Sequence, residues 1–244
     1  YLERTHIETR VWINEKEVGL QNSLVAPHIY DITAYLKSGN NRITIRVDNQ
    51  IKEINVGPDS HSISDHTQGN WNGIIGKIAL QSEPLVHIDA VEIYPDLANK
   101  KAKVKVNISN NLKQSITGKI KLSAKSFNSS VSHQTKEVSA TYSSNTNGQL
   151  ELDLPMGEGM LTWDEFSPAL YKLNISLITA KGESSKEIQF GMRDFKINGK
   201  QFLINGRPVF LRGTLHNCEF PLTGYPSTKT DDWLKIFRKI KDYG

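Results

Sequence analysis

Two stretches hold most of the side chains with the chemistry of a site. The first is Gly57-Pro58-Asp59-Ser60-His61-Ser62-Ile63-Ser64-Asp65-His66-Thr67-Gln68-Gly69-Asn70-Trp71-Asn72, which carries histidines, aspartates, amides and an indole. Proteins hold sugars with planar hydrogen-bonding groups and an aromatic face, so this composition suits carbohydrate. It equally suits a long polar loop that satisfies its own backbone. His61, Asp65 and His66 are ligand types, yet their spacing fits neither a zinc nor a calcium pattern, and no metal or cofactor is called for. The second stretch, Arg212-Gly213-Thr214-Leu215-His216-Asn217-Cys218-Glu219-Phe220, follows directly on an apolar run. Cys218 has no nucleophile pattern around it and reads as a small packed residue. Gly73-Ile74-Ile75-Gly76-Lys77 lacks the four-residue spacer and the following Ser/Thr of a phosphate loop.

The chain around these stretches reads as an ordinary globular protein. It has 244 residues, 37% hydrophobic and 23% charged, so disorder is excluded and one large or two smaller domains are allowed. The net charge of +4 is spread thinly. Lys101, Lys103 and Lys105 alternate along one segment, the mark of a solvated sheet face, and no nucleic-acid partner is expected. A single cysteine rules out an internal disulfide. No run approaches the roughly 20 apolar residues of a membrane helix. The chain opens on Tyr1 without a methionine, so its natural start is expected to lie upstream.

Three zones must position the polar stretches. Residues 1–84 read as short strands. His6–Ile13 alternates apolar and polar, Asn14-Glu15-Lys16-Glu17 turns, and Arg42–Val47 alternates again, with Ile43, Ile45 and Val47 on one face. Residues 85–192 repeat the alternation around Val104, Ile120, Leu152, Leu173 and Ile188. Roughly seven strands in about 100 residues, parted by Ser/Asn/Gly turns, is an immunoglobulin-like pattern. Ser126–Gly148 is polar and reads as an edge hairpin and mobile loop. In residues 193–244, Asn198-Gly199 and Asn205-Gly206 predict hairpin turns. Pro208–Gly213 reads as a strand buried on both faces, as in a parallel sheet. A helix follows, with Thr230 as its cap, Asp231 and Asp232 in its first turn, Lys239 and Lys241 near its end, and Gly244 as terminator. Trp233, Ile236, Phe237 and Ile240 form its apolar stripe. Strand, loop and helix make two-thirds of a βαβ unit, so a parallel partner strand is expected to follow.

Several motifs, in order, resemble one family. Phe190-Gly191-Met192-Arg193, Phe202-Leu203-Ile204-Asn205-Gly206-Arg207-Pro208-Val209 and Leu211-Arg212-Gly213 resemble the barrel entry of family 2 glycoside hydrolases, the β-galactosidase, β-glucuronidase and β-mannosidase relatives. Asn70-Trp71-Asn72-Gly73-Ile74-Ile75-Gly76 and Asp31-Ile32-Thr33 resemble the family's N-terminal domain. Ser167-Pro168-Ala169-Leu170-Tyr171-Lys172-Leu173 resembles its immunoglobulin-like domain. The resemblance implies a mainly β chain: a jelly-roll-like sugar-binding β-sandwich over 1–84, an immunoglobulin-like β-sandwich over 85–192, and the first strand and helix of a truncated TIM barrel over 193–244. It implies a retaining glycosidase as parent, with two glutamates about 5–5.5 Å apart. Both lie late in the family's barrel, so the resemblance implies no catalytic residue here and an inactive fragment; Glu219 reads as structural. Asp65, His66, Thr67, Gln68 and Asn70 become candidates to touch substrate, and Trp71 an anchor between jelly roll and barrel. In the second stretch the family's sugar-contacting histidine falls at Asn217, with His216 one position early; either fits. Arg212 contacts substrate or pairs with a barrel carboxylate. The implied partner is a carbohydrate substrate, a homo-oligomer is allowed, and the implied location of the parent is periplasmic or extracellular. Two other readings stay open: a stand-alone carbohydrate-binding protein, and an immunoglobulin-like adhesion module.

Overall fold

The computed structural model describes residues 1–50, 71–112, 114–213, 215 and 220–243. The chain divides into two compact units, residues 1–81 with 213–244, and residues 82–212.

The first unit is built on short antiparallel strands. β1 (Leu2–His6) pairs with a strand from late in the unit, and β2 (Glu8–Ile13) lies between β3 (Lys16–Asn22) and β4 (Ile43–Asp48). The partner of β1 is β5 (Gly73–Ile78). The single strand expected over His6–Ile13 therefore breaks at Ile7, whose N–H turns to the Asp48 carbonyl at 3.1 Å. The turn after β2 takes two residues, not four. Asn14 and Glu15 adopt φ 48° and 73°, and Ile13 pairs directly with Lys16. That left-handed pair matches strand twist, and asparagine tolerates it. Asn14 also accepts from Arg42 N–H at 3.0 Å, tying the turn to the start of β4. Val11, Ile13, Leu2 and Ile75 are buried, whereas Ile43 is 49% exposed.

The second unit opens with seven strands in two facing sets. They are β6 (Val86–Asp96), β7 (Lys101–Asn110), β8 (Ile116–Phe127), β9 (Val138–Ser144), β10 (Gly148–Pro155), β11 (Leu170–Thr179) and β12 (Gly182–Phe190). The sheet orders are β10–β7–β6 and β12–β11–β8–β9. The polar hairpin expected near Ser126–Gly148 is the edge strand β9, paired to β8. The alternation works as read: Ile88, Val104, Val106, Ile108, Ile120, Leu122, Leu154, Leu173, Ile175 and Leu177 form the core. Each such side chain contributes about 1.5–3 kcal/mol by leaving water. The opposite face carries the lysines. Lys101 meets Asp153 at 2.7 Å, while Lys103 and Lys105 reach Glu151 at 3.6 and 3.4 Å. Tyr171, fully buried, stacks on Phe190, its partner across β11 and β12. Its hydroxyl accepts from Leu161 N–H at 2.8 Å and bonds His133 Nδ1 at 2.8 Å.

A third sheet follows in the same unit: β13 (Phe195–Asn198), β14 (Gln201–Ile204) and β15 (Arg207–Val209), all antiparallel. The first turn places Gly199 and Lys200 in the loop, not Asn198 and Gly199, because Asn198 pairs with Gln201. Gly199 at φ 59° supplies the left-handed first position. The doubly buried parallel strand expected over Pro208–Gly213 is instead a three-residue antiparallel edge strand. Phe210 and Leu211 are 88% and 58% exposed. Burial on both faces needs a layer on each side, and the described residues of this segment form only one sheet.

In the first unit, α1 (Thr230–Asp242) is the expected helix, with one correction. Lys229 holds the cap position without a side-chain bond, and Thr230 is already helical. Asp232 instead reaches back to the Ser227 hydroxyl at 2.7 Å, and the Trp233 indole donates to the Ser227 carbonyl at 2.7 Å. No helix residue is buried. Gly244 lies outside the described residues.

Candidate functional site

The polar loop begins after β4 and ends before β5. Residues 51–70 lie outside the described residues, and with them Asp65, His66, Thr67, Gln68 and Asn70. His216, Asn217, Cys218 and Glu219 do too. Of the expected site residues Arg212 alone is described; it is exposed and belongs to the second unit.

The feet of the loop are described, and they carry a polar cluster that pattern reading overlooked. Pairing sets His6 opposite Gly73 and Glu8 opposite Asp48, so both feet flank the junction of β1 and β2. The Asn49 amide donates to the Asn72 side-chain oxygen, joining one foot to the other. Asp48 accepts from Gln50 N–H at 3.0 Å and shapes the exit from β4. Trp71 lies against the buried His6 ring at 5.4 Å. Its indole N–H is enclosed and meets no acceptor among the described residues. Glu8, nearly buried, takes an Arg46 bond at 3.1 Å across β2 and β4. The cluster brings together carboxylates, a guanidinium, amides and rings, with His6 and Glu8 buried and Glu8 paired to Arg46. Glu8 and Arg46 sat on the polar faces of two alternating strands, and only their pairing brings the two charges together.

A second polar knot lies beneath β1. His28 is 1% exposed, between Thr5 and Thr9. Its Nε2–H donates to the Ser23 carbonyl at 3.2 Å, which leaves Nδ1 to accept from the Thr9 hydroxyl at 2.5 Å. Burial pushes the imidazole below its ordinary pKa, opposed by the Ser23 bond. This knot stitches β1 to the segment before the 3₁₀ turn at Thr33–Tyr35, with main-chain bonds between Leu2 and His28 in both directions.

Four carboxyl groups among the described residues have displaced acidity. Hydrogen bonds from the side chains of Thr33, Asn99, Arg207 and Ser227 hold Asp31, Asp96, Glu165 and Asp232, respectively, below the usual range. A general acid needs the opposite shift. Among the described residues no three His, Cys, Asp or Glu side chains gather as metal ligands, and no helix is long and apolar enough to cross a membrane.

By fold the chain is a succession of antiparallel β modules followed by a helix. Residues 3–84 match the family model described as glycosyl hydrolases family 2, sugar binding domain, and residues 86–193 match that described as glycosyl hydrolases family 2. The chain belongs to glycosyl hydrolase family 2. It is 25% identical to a β-galactosidase of Oenococcus oeni, over 84% of this chain and 20% of that protein. It is 26% identical to a β-galactosidase of Yersinia pestis, over 88% of this chain and 21% of that protein. The chain spans about a fifth of the length of these relatives. Among solved structures, a Bacteroides uniformis β-glucuronidase shares its fold at a TM-score of 0.71 and 17% identity, over all of this chain and 30% of that one.

Proposed function

We propose that this chain is the substrate-approaching front portion of a retaining glycosidase that cleaves terminal β-glycosidic bonds, with β-galactosides as its substrate class. Residues 1–84 form the sugar-binding module, 85–192 the linking sandwich, and 193–244 lead into the catalytic barrel. Substrate contact falls to Asp65, His66, Thr67, Gln68 and Asn70, to Arg212, and to His216 or Asn217. The two catalytic glutamates belong to the part of the protein that this chain does not include. The observation that carries the reading is the match of two family 2 models in order along one chain.

The test is turnover of an aryl β-galactoside and an aryl β-glucuronide by the purified chain. No release of the phenol above buffer is expected. Hydrolysis that vanishes on Glu219→Gln would place a catalytic carboxylate in this chain and overturn the proposal.

A further inference from the structure

The β13–β15 hairpin is held within itself by its ladders and by Phe195 stacked on Phe202 at 5.5 Å, but it buries little. Ile204 is its buried residue at 7% exposure, whereas Phe195, Ile197 and Phe202 are 45%, 72% and 39% exposed. A three-stranded sheet needs a packed face to persist. Its anchors come from the loop before β11. The Asn205 side chain accepts from Asp194 N–H at 2.9 Å and donates to the Trp163 carbonyl at 3.0 Å. Its main-chain N–H closes the ring onto the Asp194 carbonyl at 2.8 Å. Trp163 N–H in turn donates to the Met192 carbonyl at 2.9 Å, and Met192 is wholly buried. The Arg193 guanidinium lies over the Trp163 ring at 4.9 Å. A Cβ on Gly191 would come within 3.1 Å of the Trp163 Cβ, so backbone and ring are in close contact. Further out, Arg207 on β15 binds Glu165 at 2.8 Å and covers the Phe166 ring. One short loop therefore grips both the link out of the sandwich, Gly191 to Asp194, and the far turn of the hairpin.

We infer that Asn205 and the Trp163–Phe166 loop form a clamp that makes the β13–β15 hairpin a rigid extension of the seven-stranded sandwich, fixing the direction in which the chain leaves at Val209. The clamp stands on contacts within the second unit and does not depend on the enzymatic reading.

The conformation of the turn allows the side chain to be tested apart from the backbone. Asn205 and Gly206 sit at φ 52° and 80°. Glycine tolerates that position, so Asn205→Gly keeps the turn and removes only the clamp. The measurement is amide hydrogen exchange of the full chain, resolved by peptide. In Asn205→Gly the β13 and β14 amides should exchange about tenfold faster, the loss of two hydrogen bonds, with β8 and β11 unchanged. Asn205→Asp keeps the acceptor for Asp194 N–H but sets a carboxylate against the Trp163 carbonyl, and should loosen the hairpin at least as much. Exchange in the hairpin that stays within about twofold of the original in both variants would overturn the clamp. Equal acceleration in β8 and β11 would overturn it too, because Asn205 would then serve the stability of the whole unit.

Discussion

Tyr171→Phe tests how much one hydroxyl, bonded to Leu161 N–H and His133, stabilises the second unit. The ring is fully buried and stacks on Phe190 at 5.5 Å, and phenylalanine keeps that shape, so no cavity term arises. What is lost is the bond from Leu161 N–H and the bond to His133 Nδ1, each 2.8 Å. A hydrogen bond contributes about 0.5–1.5 kcal/mol net, so two give roughly 2 kcal/mol. Leu161 and His133 are only half-buried, and water recovers part of this, which sets ~2 kcal/mol as the upper side. The melting point of the unit should fall by up to ~8 °C. Burial also holds the Tyr171 hydroxyl above its ordinary pKa, opposed by the Leu161 bond. A raised acid pKa gives stability that is complete below the unfolded value of about 10 and is lost as pH rises past it. The variant should therefore lose less stability than the original above pH ~10. Urea unfolding, read by hydrogen exchange at β8 and β11, measures both effects. A loss under ~0.5 kcal/mol with an unchanged alkaline limb would refute the reasoning.

The His28 knot predicts the opposite pH limb for the first unit. A lowered histidine pKa means stability complete above about 6.5 and declining as pH falls toward the folded value, and His28→Asn should flatten that decline in thermal melts between pH 7 and 5. Glu151→Gln faces Lys103 and Lys105 on an open sheet, and its unfolding free energy should stay within about 0.5 kcal/mol of the original. A larger loss would mean that the lysine row acts as a network.

Much of the second unit was legible in the sequence. Alternation over Val104–Ile108, Ile120–Ala124 and Leu173–Leu177 named the buried face, because a strand's side chains point to opposite sides with period two. The lysines between them fell on the wet face for the same reason. The polar loop after Asp48 announced itself by composition. The family was written in motifs whose order no single strand pattern reveals.

Pairing was not legible, and it decided the rest. Which strand met which placed Glu8 beside Arg46 and brought the Asn49 and Asn72 feet together, residues far apart in the chain. Thr5, Thr9 and His28 looked like unremarkable polar residues until folding buried them in one knot. The run after Pro208 read as a buried strand, yet a strand's burial is set by the layers around it and not by its own hydrophobicity. Asn205 marked a turn by its identity; only the tertiary structure set its amide against Trp163. Local pattern determined which residues turn inward, and long-range contact determined what they meet there.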